Sequence, residues 1–83
     1  MYQLLFHPKF KKQLKKLHPR DQKHFLKTLP KLQKNPRSPA LDVKKLVGTR
    51  SSYRLRLADF RVIFSLSGQT IYFWEIAYRA SVY

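Results

Sequence analysis

The sequence has no cysteine, so disulfides and thiolate metal sites are excluded. Its histidines, His7, His18 and His24, stand at no metal-ligand spacing, and neither a metal nor a cofactor is implied. No apolar run approaches the ~20 residues that cross a bilayer. The opening MYQLLFHPKF holds an apolar patch too short for a signal peptide and no small-residue cleavage site. The expected location is therefore the cytoplasm, without membrane contact. Acid is the other scarcity. Only Asp21, Asp42, Asp59 and Glu75 oppose 18 lysines and arginines, and the formal net charge is +14.

A field of that strength attracts polyanions and raises their on-rates. A surface built only for solubility mixes both signs. The expected partner is a nucleic acid, or an acidic protein that masks the basic face. The 83 residues amount to one small domain. Folding at this size hides about 60–65% of the unfolded surface. A hydrophobic share of 43% and an aromatic share of 14% suffice for one core and argue against a disordered chain.

Tyr2 to Phe6 reads as a short strand ending at His7-Pro8. Phe10, Leu14 and Leu17 then form one helical stripe, with Lys11, Lys12, Lys15 and Lys16 on the other side. After Pro19, a second helix is expected from about Arg20 to Gln33, with Phe25, Leu26, Leu29 and Leu32 as its stripe. Asp21 sits where the helix dipole favours a negative charge. Pro30 clashes with the carbonyl of Leu26, so a kink or break is expected there. Asn35-Pro36 ends the helix. Most of the helical lysines read as a solvated face, and some meet phosphates through long-range attraction.

From Val43 the period changes to two. VKKLVGT reads as a short strand or extended segment ending at Gly48, and SYRLRL and FRVIFSLS alternate strictly. TIYFWEIAY is nearly all apolar, as for a central strand covered on both faces. The fold class is α+β: two N-terminal helices on one face of a small antiparallel sheet. With Ala58-Asp59 as a two-residue turn, Leu57 faces Phe60 and Arg56 faces Arg61. Tyr53, Leu55, Leu57, Phe60, Val62 and Phe64 then point to the core, and Arg54, Arg56 and Arg61 point together to the other side.

Opposed like charges destabilise a hairpin. Gathering all three on one face is better explained as an anion site, because the planar guanidinium fork donates two hydrogen bonds to a phosphate. Lys44, Lys45 and Arg50 are further candidates for RNA contact, and either lysine could approach the patch. Arg79 and Tyr83 close the chain. Tyr72, Phe73 and Trp74 read mainly as core, while Tyr78 and Tyr83 are the better candidates to stack on unpaired bases. A three-residue turn at Ser67–Gln69 would set Glu75 opposite Arg61, orienting an arginine. A two-residue turn would point Glu75 at the core, where an unpaired carboxylate is costly.

FHPKFKKQLKKL, the NP helix end, KKLVG, YRLRLADFRVIF and the YRASVY ending together resemble the RelE/ParE toxin superfamily over nearly the whole chain. The ending resembles the RelE branch more than the ParE branch. The resemblance implies a RelE-like microbial RNase-type fold and the role of toxin in a type II toxin–antitoxin pair. It implies a cognate acidic antitoxin, partly disordered, that neutralises the charge. RelE-branch members cleave mRNA in the ribosomal A site, so mRNA and ribosomal RNA are implied partners. ParE-branch members poison DNA gyrase, so the alternatives are a non-enzymatic gyrase-inhibiting toxin or a catalytically weakened toxin that still binds nucleic acid.

The implied reaction is attack of a ribose 2′-OH on the adjacent phosphate. It needs a base, charge stabilisation and an acid for the leaving 5′-oxygen. Carried over by motif, Arg54 and Arg56 occupy the basic positions of the first hairpin strand, and Arg61 that of the second. Tyr83 matches a tyrosine that stacks on the base and helps orient the nucleophile. Arg79 would assist the leaving group. Lysines stand at the positions of Arg54 and Arg56 in well-known RelE members, one of them the proposed base. Arginine effectively does not deprotonate, so Arg56 is a poor base. Ala77 stands where some members carry a further arginine, and Asp59 reads as part of the turn.

Overall fold

The computed structural model describes residues 1–78. The chain runs β1 (Gln3–Phe6), α1 (Pro8–Lys16), α2 (Pro19–Lys34), β2 (Val43–Lys45), β3 (Ser52–Leu57), β4 (Phe60–Ser67) and β5 (Thr70–Tyr78). The strands form one sheet in the order β1-β5-β4-β3-β2. The pairings β2–β3, β3–β4 and β4–β5 are antiparallel, as alternation and short loops require. β1 departs from the expected all-antiparallel sheet: it pairs parallel to β5, with Leu5 beside Tyr72 and Phe6 beside Phe73. The two helices are what let the chain leave β1 and return alongside it, since parallel neighbours need a long crossover.

Both helices open on a His-Pro pair. The Nδ1 atoms of His7 and His18 accept from the backbone N–H of Lys9 at 3.0 Å and Arg20 at 3.1 Å. Proline follows at the first helical turn, where its missing N–H costs nothing. Pro30 does not end α2, which continues to Lys34. Leu26, whose carbonyl loses its helical partner, lies in the exposed part of the helix, where water can take the bond. The same placement removes Leu26 from the apolar stripe. It is 54% exposed, while Phe25, Thr28 and Leu32 are buried.

The core lies between the helices and one sheet face. Phe10, Phe25, Phe60, Phe64 and Phe73 are fully buried. Their rings interlock, with Phe25 meeting Phe73 edge-on at 5.7 Å and Phe10 tilted against both. β2 is shorter than KKLVG suggested and ends at Lys45; Val47 stands fully exposed. The two tight hairpin loops each place a positive φ at their first residue, Ala58 (φ 45) and Gly68 (φ 57). A two-residue loop that keeps the strands' twist favours that geometry.

Candidate nucleic-acid interface

The helices cover one face of the sheet and leave the other to the site. The expected hairpin register is present: Leu57 pairs with Phe60, Arg56 with Arg61, Leu55 with Val62 and Tyr53 with Phe64. Leu55, Leu57, Phe60, Val62 and Phe64 are buried, so alternation sends Arg54, Arg56 and Arg61 to the outer face. Arg56 is exposed and Arg61 half-buried.

Arg54 is gripped from the neighbouring edge. Its side chain is only 14% exposed, and Nη2 lies 3.7 Å from Asp42 Oδ1. The Asp42 carbonyl also accepts from the Arg56 backbone N–H at 2.9 Å. Asp42 thus holds β3 at two successive outer-face arginines, a role its sequence position before β2 did not announce. The β2–β3 register separates the two lysines. Lys44 stands opposite Arg54 and shares the outer face, while Lys45 stands opposite Tyr53 and shares the helix side. Arg50 lies exposed in the β2–β3 connection.

β5 corrects two expectations. Its loop with β4 contains two residues, Gly68 and Gln69, since Ser67 pairs with Thr70. The register then shifts between Ile63 and Phe64: Phe64 faces Phe73, but Ile63 faces Glu75, leaving Trp74 as the extra residue of a β-bulge. The bulge does what the longer turn was expected to do and keeps the carboxylate out of the core. Glu75 accordingly stands opposite Ile63, not Arg61, and pairs with Lys9 Nζ at 3.3 Å. Gln13 supports the irregular backbone, its Oε1 accepting from the Ile76 N–H at 2.7 Å.

The second correction concerns the outer face of β5, which the helices do not cover. Trp74 is 42% exposed. Its indole Nε1 donates to Ser65 Oγ at 2.7 Å, and Ser65 Oγ meets Ser52 Oγ at 3.1 Å. Tyr72 packs beside it with ring centroids 4.4 Å apart. Phe73 is core as expected. Tyr78 lies away from the arginines, on the helix side: its ring meets Phe60 edge-on, and its OH donates to Asp21 Oδ2 at 3.4 Å. Arg79 and Tyr83 lie outside the described residues.

The outer face therefore gathers Lys44, Arg54, Arg56 and Arg61 at one side and an aromatic pair at the other. No helix among the described residues is long and apolar enough to cross a membrane. No cluster of His, Cys, Asp or Glu suited to a metal occurs among them either. Such a face can neutralise and orient a phosphodiester by paired hydrogen bonds.

Residues 4–83 match the family described as ParE toxin of type II toxin-antitoxin system, parDE. Over 43 residues the chain is 37% identical to Toxin RelE3 of Methanocaldococcus jannaschii, a match covering 52% of this chain and 49% of that protein. The match thus spans about half the length of that curated relative. The fold superposes on the RelB-RelE antitoxin-toxin complex of Methanococcus jannaschii with a TM-score of 0.83, 29% identity and coverage of 95% and 94% of the two chains. For the RelE-RelB complex of Pyrococcus horikoshii OT3 the TM-score is 0.82, identity 31% and coverage 94% of each chain.

Proposed function

Because the chain belongs to the ParE toxin family of type II toxin–antitoxin systems, within the RelE-like branch of the RelE/ParE superfamily, we propose that it acts as an endoribonuclease on mRNA in the ribosomal A site. The observation that carries this reading is the convergence of Arg54, Arg56 and Arg61 on the uncovered sheet face. Arg56 and Arg61 are directly opposed across the hairpin, so one phosphate can be held between two guanidinium groups. Attack of the 2′-OH builds negative charge on the phosphate oxygens, and fixed cations aimed there lower that barrier. Arg54, set by Asp42, extends the cradle along the strand.

Arginine holds its protons, so these three side chains stabilise and orient but do not accept a proton. Lys44 is the patch residue with an amine, the side-chain type that serves as a base when its environment permits. Arg79 and Tyr83 keep the roles the family motif assigns them, protonation of the leaving oxygen and stacking on the base. The ribosome supplies the in-line geometry of the strand. The partner in the cell is an acidic antitoxin chain, in keeping with the RelB chains bound to the two archaeal relatives. The +14 charge favours such a chain. The expected compartment is the cytoplasm, where translating ribosomes are.

Purified protein added to a translating extract should cut mRNA at codons in the A site and leave 2′,3′-cyclic or 3′-phosphate ends. The second reading is a gyrase-directed toxin, favoured by the family description and by arginines where a base is needed. Inhibited supercoiling with intact mRNA decides for it and against the nuclease.

A further inference from the structure

The outer face carries more than the arginines, and the aromatic pair beside them has no part in the cleavage just described. A tryptophan left 42% exposed on a sheet is informative, because large apolar surface in water marks a binding site more often than chance. Trp74 is also fixed. Its N–H is already satisfied by Ser65, which is itself bridged to Ser52, so the ring cannot swing to seek another acceptor. Tyr72 buttresses one side and His7 lies 5.8 Å away on another. An open cleft of about 370 Å³ lined by His7, Lys9, Trp74 and Glu75 adjoins the indole. Small-molecule clefts span about 300–1,000 Å³, so one planar base fits.

We propose that Trp74, backed by Tyr72, is a stacking platform for an unpaired nucleobase of the RNA strand whose phosphate lies on Arg54, Arg56 and Arg61. This rests on the nucleic-acid reading above and extends it from one phosphate to a short single-stranded track. The register gives the spacing. The Trp74 indole reaches Ser65, whose partner across the hairpin is Ser52. Ser52 and Arg54 are two residues apart on β3, about 7 Å at ~3.3 Å per residue, and Ser65 and Arg61 four residues apart on β4, about 13 Å. The platform is thus about one nucleotide step from Arg54 and two from Arg61. Charge chooses RNA over an apolar partner. The carboxylate at the cleft, Glu75, is paired with Lys9, Asp42 is paired with Arg54, and the remaining charges of the patch, Lys44, Arg56 and Arg61, are positive. Stacking on a fixed ring is tolerant of sequence, because every base presents a π-face. The platform therefore adds affinity and register without dictating which base is bound.

Trp74 is the only tryptophan in the chain, so its emission reports this place alone. The wild-type protein is titrated at low salt with a fluorescently labelled single-stranded RNA hexamer, following both label anisotropy and tryptophan emission. The platform requires saturable quenching with the same midpoint as the anisotropy. Inorganic polyphosphate should displace the RNA and restore the emission. Trp74→Leu should weaken RNA binding about 5- to 150-fold, and Trp74→Phe should keep most of it. RNA binding with unchanged emission in the wild-type protein overturns the platform while leaving the arginine site standing, and needs no variant to fold. No RNA binding at any salt overturns both. If Trp74→Leu spares RNA but loosens an acidic partner chain, the surface is a protein-docking face and the proposal fails.

Discussion

At the residue scale, the opposed pair Arg56 and Arg61 carries the conflict between folding and function. Like charges facing each other across strands are unfavourable by about 0.2–1 kcal/mol. Arg56→Thr removes one charge and places a β-branched side chain in the strand. Urea unfolding should show that variant more stable by about that amount, while its mRNA cutting falls at least about 10-fold as one phosphate ligand is lost. A variant both less stable and fully active would contradict the role given to Arg56. Lys44 and Lys45 make a second residue-scale contrast, since neighbours in sequence stand on opposite sides of the sheet. Lys44→Ala should slow cleavage more than Lys45→Ala. Lys44→Arg, which keeps the charge but not a readily transferred proton, separates electrostatics from proton transfer in a single-turnover assay.

At the element scale, β5 determines what the outer face presents. Its bulge turns Trp74 and Glu75 outward together and depends on Gln13 reaching from α1 to the Ile76 N–H. Gln13→Ala leaves that amide without its partner, and unfolding should show a loss of about 1–3 kcal/mol. Tryptophan emission should shift to the red in the same variant as the bulge relaxes. The hairpin of β3 and β4 was readable from the sequence because strict alternation and a two-residue loop admit one register. That alone put Arg54, Arg56 and Arg61 on one face. The bulge was not readable, because the backbone beside it is partnered by a side chain some 60 residues away in a helix, which local pattern does not contain. Turn length alone therefore implies the wrong residue opposite Glu75, and the apolar run around Trp74 implies core where the ring faces outward. Three-residue β2 was too short for its pattern to tell Lys44 from Lys45. The parallel pairing of β1 and the unbroken passage of α2 through Pro30 depend on tertiary neighbours and water, which local propensity does not contain.

At the scale of the whole molecule, the question is whether the +14 charge or the built patch governs RNA binding. For single strands, affinity falls with salt at a log–log slope of roughly −0.7 per phosphate neutralised. Four cations on the outer face give a slope of about −3. A slope steeper than about −6 would mean that the helical lysines hold the strand as well. In the function proposed above catalysis belongs to the sheet, and α2, with Lys23 and Lys27 exposed, is a solvated surface. The direct test compares single-turnover mRNA cutting in a translating extract by the parent protein, Arg61→Ala and Lys27→Ala at matched concentrations. Arg61→Ala should cut at least about 100-fold more slowly, the scale of losing one fixed charge stabiliser. Lys27→Ala should stay within about threefold of the parent, as an exposed solvated charge would. Equal cutting by the parent and Arg61→Ala would contradict the assignment of the outer sheet face as the site of reaction.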